Sequence, residues 1–234
     1  MSEPLTYAAF VGALRGAGLK VIEVKTDGKS PSQHNRNSVG AWGPVHGVMI
    51  HHTVTKGTAN TVEICRTGYA GLPGPLCHGV IAKDGTVYIV GYGRANHAGK
   101  GDRDVFNAVK AESYATNPPY DDKADMDFNP HFYGFECENL GDGIDPWPAV
   151  QLDSIERASA AICKAHGWGD KSVIGHLEAQ PGKVDPKGFT MASMRARVKA
   201  RLAGKTPAPK PMETKDQEQD RRIAALEKAV LGKG

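Results

Sequence analysis

Apolar residues recur along this chain in two rhythms. Tyr7, Phe10, Val11 and Leu14 fall at helical spacing within residues 5–14, and Gly16 and Gly18 end that stretch. A second helix is predicted over 59–68, with Thr58 as its N-cap. A short one is expected near 105–113. The clearest spans 147–166, where Ile155, Ala158, Ile162 and Ala165 share one side, and a basic helix follows over 191–202. The other rhythm is the short apolar run. Val21, Ile22 and Val24 make one, 47–51 (GVMIH) a second, 133–138 a third and 173–176 (VIGH) a fourth. Each fits a buried strand. Residues 78–89 (HGVIAKDGTVYI) read as a hairpin turning at Asp84-Gly85. Polar, turn-rich segments at 27–44, 71–77 and 91–131 read as loops. Helices and strands alternate, which implies an α/β or α+β class with one sheet.

The pattern changes after Ala203. GKTPAPKPMET is a Pro/Lys-rich linker, and 216–231 is a charged helical stretch with Ile223, Leu226 and Val230 at heptad-like positions. Two turns of seam are too short for a stable isolated coiled coil, so the tail is either a frayed helix or a docking or self-association helix. The expected divisions are an N-terminal extension (1–44) packed on a main domain (45–203), the linker (204–215) and the charged helix (216–234).

Composition narrows the function. A hydrophobic fraction of 40% and a charged fraction of 24% are ordinary for a globular chain. A net charge of +3 is too weak to argue for nucleic acid, though it does not oppose a mildly anionic surface. No run approaches the ~18 apolar residues of a membrane span. The start lacks a basic residue before its apolar stretch, and Arg15 interrupts that stretch, so it does not read as a secretory signal. Cys65, Cys77, Cys137 and Cys163 form no CxxC pattern. Free thiols in a reducing cytoplasm are the plain expectation, with a Cys65–Cys77 disulfide as the alternative.

The chemistry lies in two histidines. His51 and His176 each end a short apolar strand, and strand ends are where open sheets hold their sites. Asp185 follows His176 by nine residues. Two imidazoles and a carboxylate form a common catalytic zinc set that leaves a fourth position for water. A strand-end histidine alone is more often a hydrogen-bonded structural residue, and spacing cannot join His51 to His176.

Five segments, GVMIHHTVT, LCHGVIAKDGTVYIV, ANHAG, YGFECEN and VIGHLEAQPGKVDP, occur in this order between residues 45 and 202. In this the chain resembles the zinc-dependent N-acetylmuramoyl-L-alanine amidases of the type 2 family, which includes phage endolysins and shares its fold with peptidoglycan recognition proteins. RANHAGKG and the N-terminal extension resemble endolysins of phages with actinobacterial hosts. The resemblance implies an α/β fold with a single central mixed sheet flanked by helices. It implies one zinc ion on His51, His176 and Asp185. Glu136 is implied to act on the water and carry a proton, and Lys183 to face the scissile carbonyl. Many relatives have a tyrosine where this chain has Cys77, and a thiol is a poor donor. Either this chain does without the tyrosine, or another donor such as His97 takes its place. His97, Asn139 and Cys77 are accordingly the candidate substrate-binding positions, although Asn139 equally suits a turn. His52 is expected on the opposite face from His51 as a structural or supporting residue. Glu138 has the same strand parity as Glu136, so spacing leaves both able to face the cleft. His34, His131 and His166 read as surface or packing residues, and Tyr88 and Tyr92 as strand packing.

The implied function is a peptidoglycan hydrolase that cuts between N-acetylmuramic acid and L-alanine, in a groove lined by the 91–131 loops. Long loops of this kind are often functional. The implied partner is the muropeptide, with no nucleic acid and no membrane span. The implied site of action is the cell wall, reached through a separate pore protein after synthesis in the cytoplasm. Two rival readings remain: a non-catalytic peptidoglycan-binding module of the same fold, and a zinc endopeptidase of the cross-links.

Overall fold

A computed structural model describes residues 2–207 of the chain. The tail helix expected over 216–231, most of the linker, and any self-association through the tail lie outside the described residues. Within them the order is α1 (Tyr7–Gly16), β1 (Val21–Glu23), β2 (Gly47–His52), α2 (Thr58–Thr67), β3 (Gly68–Tyr69), β4 (Leu72–Pro73), β5 (Gly79–Ile81), β6 (Val87–Ile89), β7 (Lys100–Gly101), α3 (Arg103–Lys110), β8 (Met126–Asp127), β9 (Phe132–Cys137), α4 (Ala149–His166), β10 (Val173–Gly175) and α5 (Met191–Leu202). No described helix is long and apolar enough to cross a membrane.

Six strands form one mixed sheet in the order β1-β6-β5-β9-β2-β10. β5, β9, β2 and β10 run parallel, and β6 is antiparallel to β5. β2 lies between β9 and the edge strand β10, with all six residues buried. A parallel strand covered on both faces must be apolar throughout, which is why its sequence shows a continuous run rather than alternation.

The sheet has two packed faces. Val48 and Ile50 of β2, with Tyr133 and Phe135 of β9, join a large core with residues of α1, α4 and α5. Met49 and Phe132 face the other way and pack with Val105, Phe106 and Val109 of α3, while Val80 packs with Val62 and Cys65 of α2. Alternation along β2 and β9 then sets His51 on the face of Met49, and Glu136 on the face of Phe132.

The N-terminal extension belongs to this core. β1 pairs with β6 as an edge strand, and Phe10 is fully buried with its ring stacked on Tyr133, centroids 5.5 Å apart. The basic helix α5 packs on α4. Arg201 and Arg197 bind the fully buried Glu156, and Arg195 binds Glu178 at 2.7 Å. A buried carboxylate needs such partners.

Three local expectations change. Thr58 is the first residue of α2 rather than its cap; Gly57 holds the cap position, and the Thr58 hydroxyl donates to Glu138 at 2.7 Å. Residues 68–73, expected as loop from 71 onward, contain a two-rung antiparallel ribbon. β10 stops at Gly175, so His176 opens a 3-10 turn just past the strand. The Asp84-Gly85 hairpin turn is present, with the Asp84 carboxylate accepting from the Thr86 amide and hydroxyl. All four cysteines are buried free thiols, and the Cys77 thiol meets that of Cys65.

Candidate metal centre and active site

Parallel pairing brings three neighbouring strand ends together. Ile50 pairs with Gly175, and His51 with Glu136. His176 therefore emerges one residue past the β2–β10 register, beside His51. The turn after it carries Asp185 back, with the Leu177 amide donating to the Asp185 carbonyl at 2.7 Å. The result is a compact donor set. His51 Nδ1 lies 2.9 Å from Asp185 Oδ2 and 3.1 Å from His176 Nδ1, and His176 Nδ1 lies 3.2 Å from the same carboxylate oxygen.

These donors fit a zinc ion. Ligand atoms ~2.0–2.2 Å from a tetrahedral zinc lie roughly 3.3 Å from one another, close to the spacings found. His176 Nε2–H donates to Gln180 Oε1 at 3.1 Å, which leaves Nδ1 as the lone pair facing the set. Burial pushes the His51 imidazole down to about 4, so it is neutral at physiological pH, as a ligand must be.

Glu136 stands next to the donors, Oε1 4.0 Å from His51 Nδ1, with only a sixth of its side chain exposed. Its Oε2 is buried and has no hydrogen-bond partner among the described residues. Burial, aided by Cys65 and Asp185 and opposed by Lys183, raises its pKa well above the usual carboxylate range. Lys183 is exposed on the rim of the same cavity, of about 360 Å³, which His51, His97, Glu136, His176 and Asp185 also line.

The remaining candidates separate. Glu138 does not reach the cleft: its carboxylate accepts from the Gly57 amide at 2.9 Å and the Thr58 hydroxyl, at the start of α2. Asn139 is 1% exposed and closes a turn, its Oδ1 accepting from Gly141 N and its Nδ2 donating to the Asp145 carbonyl. Cys77 is fully buried beneath Cys65, and Cys65 rather than Cys77 lines the cavity. His97 lines it but is 7% exposed, Nδ1 3.1 Å from His51 Nε2 and Nε2 3.0 Å from the Phe132 carbonyl. His52 lines the cavity too, while its Nδ1 accepts from the Lys187 amide. His34 and His131 anchor backbone carbonyls, and His166 stacks on Trp168. Gln180, which holds His176, lies within the VIGHLEAQPGKVDP segment but has no assigned role there, and Asn129, which holds the 97–99 loop, stands out in no periodicity or motif.

A family model described as N-acetylmuramoyl-L-alanine amidase matches residues 41–188, more than half of the chain. No curated protein sequence matches it. Among solved structures, the chain is similar to the hydrolase AmiA of Staphylococcus aureus in complex with its ligand. Identity there is 12%, 88% of this chain and 97% of that chain are covered, and the TM-score is 0.52. It is also similar to the endolysin amidase LysCS of Clostridium intestinale, at 18% identity, 76% and 95% coverage and a TM-score of 0.49. The E. coli amidase AmiD, in complex with anhydro-N-acetylmuramic acid-L-Ala-D-gamma-Glu-L-Lys, is 16% identical, with 79% and 73% coverage and a TM-score of 0.47. The likeness to AmiA bears on the fold, and the family match extends over the sheet's central strands and every residue of the donor set. This chain therefore belongs to the N-acetylmuramoyl-L-alanine amidase family and is a peptidoglycan hydrolase.

Proposed function

We propose that the protein hydrolyses the amide between the lactyl group of N-acetylmuramic acid and L-alanine, using one zinc ion held by His51, His176 and Asp185. The observation that carries this reading is the convergence of three lone-pair atoms within 3.2 Å of one another beside the buried carboxylate of Glu136. When bound, the ion lowers the pKa of a water to roughly 7 and polarises the scissile carbonyl. Glu136 takes the proton of the attacking water and returns it to the departing amine of L-alanine; its raised pKa suits both directions. The Lys183 ammonium sits on the rim of the cavity, where negative charge grows on the carbonyl oxygen. The catalytic unit is 45–203, with the extension 1–44 completing its sheet and core. The cell wall is the proposed site of action.

Incubation with peptidoglycan, with and without a zinc chelator, tests this reading through assays of new amino termini and new reducing sugar ends. Chelator-sensitive release of N-terminal L-alanine without reducing ends is expected. New termini on other residues would assign a cross-link peptidase. Binding to the wall without release would assign a recognition module.

A further inference from the structure

We propose that His97 is a positioning residue that fixes the tautomer of His51, so that Nδ1 and not Nε2 is the bare nitrogen facing the metal donors. The inference rests on the zinc-site reading above and adds how this chain enforces it.

A backbone carbonyl only accepts hydrogen bonds. The Phe132 carbonyl lies 3.0 Å from His97 Nε2, so that nitrogen carries a proton. His97 is 7% exposed and has no carboxylate among its hydrogen-bond partners, and an unpaired charge is costly to bury, so the ring is a neutral imidazole with one proton. Its Nδ1 is therefore a lone pair. His51 Nε2, 3.1 Å away, must be the donor to it. The two rings are perpendicular, with centroids 5.3 Å apart, as an in-plane N–H aimed at a neighbouring lone pair allows. A ligating imidazole is neutral, so a proton on His51 Nε2 leaves its Nδ1 bare. That Nδ1 is the atom 2.9 Å from Asp185 Oδ2 and 3.1 Å from His176 Nδ1. His176 reaches the same state through Gln180. Both imidazoles then offer Nδ1 to one point, each with its outer N–H donated to a fixed acceptor. Outer partners of this kind orient ligating histidines and raise their basicity.

The relay is itself held in place. Asn129 Oδ1 accepts from the backbone amides of His97, Ala98 and Gly99 at 3.0, 2.9 and 3.2 Å, which pins the loop. The His97 ring lies on Gly134, where a Cβ would come within 2.5 Å of Nδ1, so any other residue in that strand position would push the ring away from His51. Both nitrogens of His97 are engaged by protein, which leaves the ring no polar atom for substrate. The expected substrate contact thus gives way to a positioning role.

The test uses the full chain and reads zinc affinity by competition with a chromophoric chelator. His97→Ala is expected to weaken zinc binding ~10–100-fold, the usual effect of removing an outer partner. His97→Asn, whose Oδ1 can stand where Nδ1 stood, is expected to restore most of it. The visible spectrum of the cobalt-substituted protein should shift in the first variant and return in the second. Long-range proton–nitrogen NMR of the wild-type zinc protein should show His51 protonated at Nε2 and His97 at Nε2, and it needs no variant to fold. Wild-type affinity in His97→Ala, or His51 ligating through Nε2, overturns the relay while leaving the zinc site standing. A wild-type protein that binds no zinc overturns the zinc site and the relay with it.

Discussion

Glu136 and His51 are register partners across β9 and β2, and their Oε1 and Nδ1 atoms are 4.0 Å apart. The proposed ligand and the proposed proton carrier thus come from adjacent strands of one sheet. Glu136→Gln should lower kcat by ~10²–10⁴-fold, the usual share of a general acid–base, and leave one zinc per chain. Asp185→Ala should lose the metal and the turnover together. Metal analysis beside a muropeptide assay separates the two, and zinc loss in Glu136→Gln would move that residue into the ligand set.

Glu138 has the same sequence parity and a different consequence. Its carboxylate ties the start of α2 to the end of β9 through Gly57 and Thr58. Glu138→Ala should destabilise the fold by about 1–3 kcal/mol, as expected when buried donors lose their acceptor. It should leave kcat of the folded fraction near wild type. Urea midpoints and rates on the same preparations would show it; a rate loss as deep as that of Glu136→Gln would put Glu138 in the chemistry.

The N-terminal extension should behave as core. Phe10 is fully buried against Tyr133, Tyr92 and Phe135. Phe10→Ala should cost about 3–5 kcal/mol, the range for large aromatic truncations. Chemical denaturation measures it. A loss below about 1 kcal/mol would mean the helix is dispensable.

Stability should fall in acid through His78. Its Nδ1 accepts the Gly134 amide at 2.9 Å, its Nε2–H donates to the Gly93 carbonyl at 2.8 Å, and burial pushes the ring down to about 4 from 6.5. The unfolded chain takes up this proton below about 6.5, while the native state resists until about 4. Between those values the unfolded state holds more protons, so unfolding free energy drops as pH drops, by on the order of 3 kcal/mol in all. His46, also pushed to about 4 mainly by burial, acts in the same direction. His78→Gln should be less stable at pH 7 but show a shallower decline between pH 6.5 and 4. An unchanged slope would assign the acid sensitivity to other groups.

The elements most legible in sequence were those with an uninterrupted rhythm. The 18-residue helix α4 and the strand pair around Asp84-Gly85 could be read from period alone. His51, His176, Asp185, Glu136 and Lys183 were read by resemblance, because no local pattern spans the 125 residues between the two histidines. Period two could not separate Glu136 from Glu138: both lie on one parity, and only the departure of the chain from the sheet after Cys137 sends the second carboxylate to α2. Thr58 has the chemistry of a cap but sits one residue inside the helix. Gln180, Asn129 and Gly134 were illegible for a common reason. Asn129 and Gly134 act on the 97–99 loop more than 25 residues away, Gln180 acts on His176 four residues back, and a single polar or small residue leaves no periodic trace.

The strand order has a temporal consequence. β10, which leads directly into His176, docks on β2 only after most of the chain exists. Parallel pairings so distant in sequence close late, because the loop between them must be ordered first. A chain emerging from the ribosome therefore carries His51 and Glu136 long before it can assemble a hydrolytic centre. On the proposed reading, a chain that lacks β10 has only part of its donor set, and a bound ion would tie β2 to the edge strand β10.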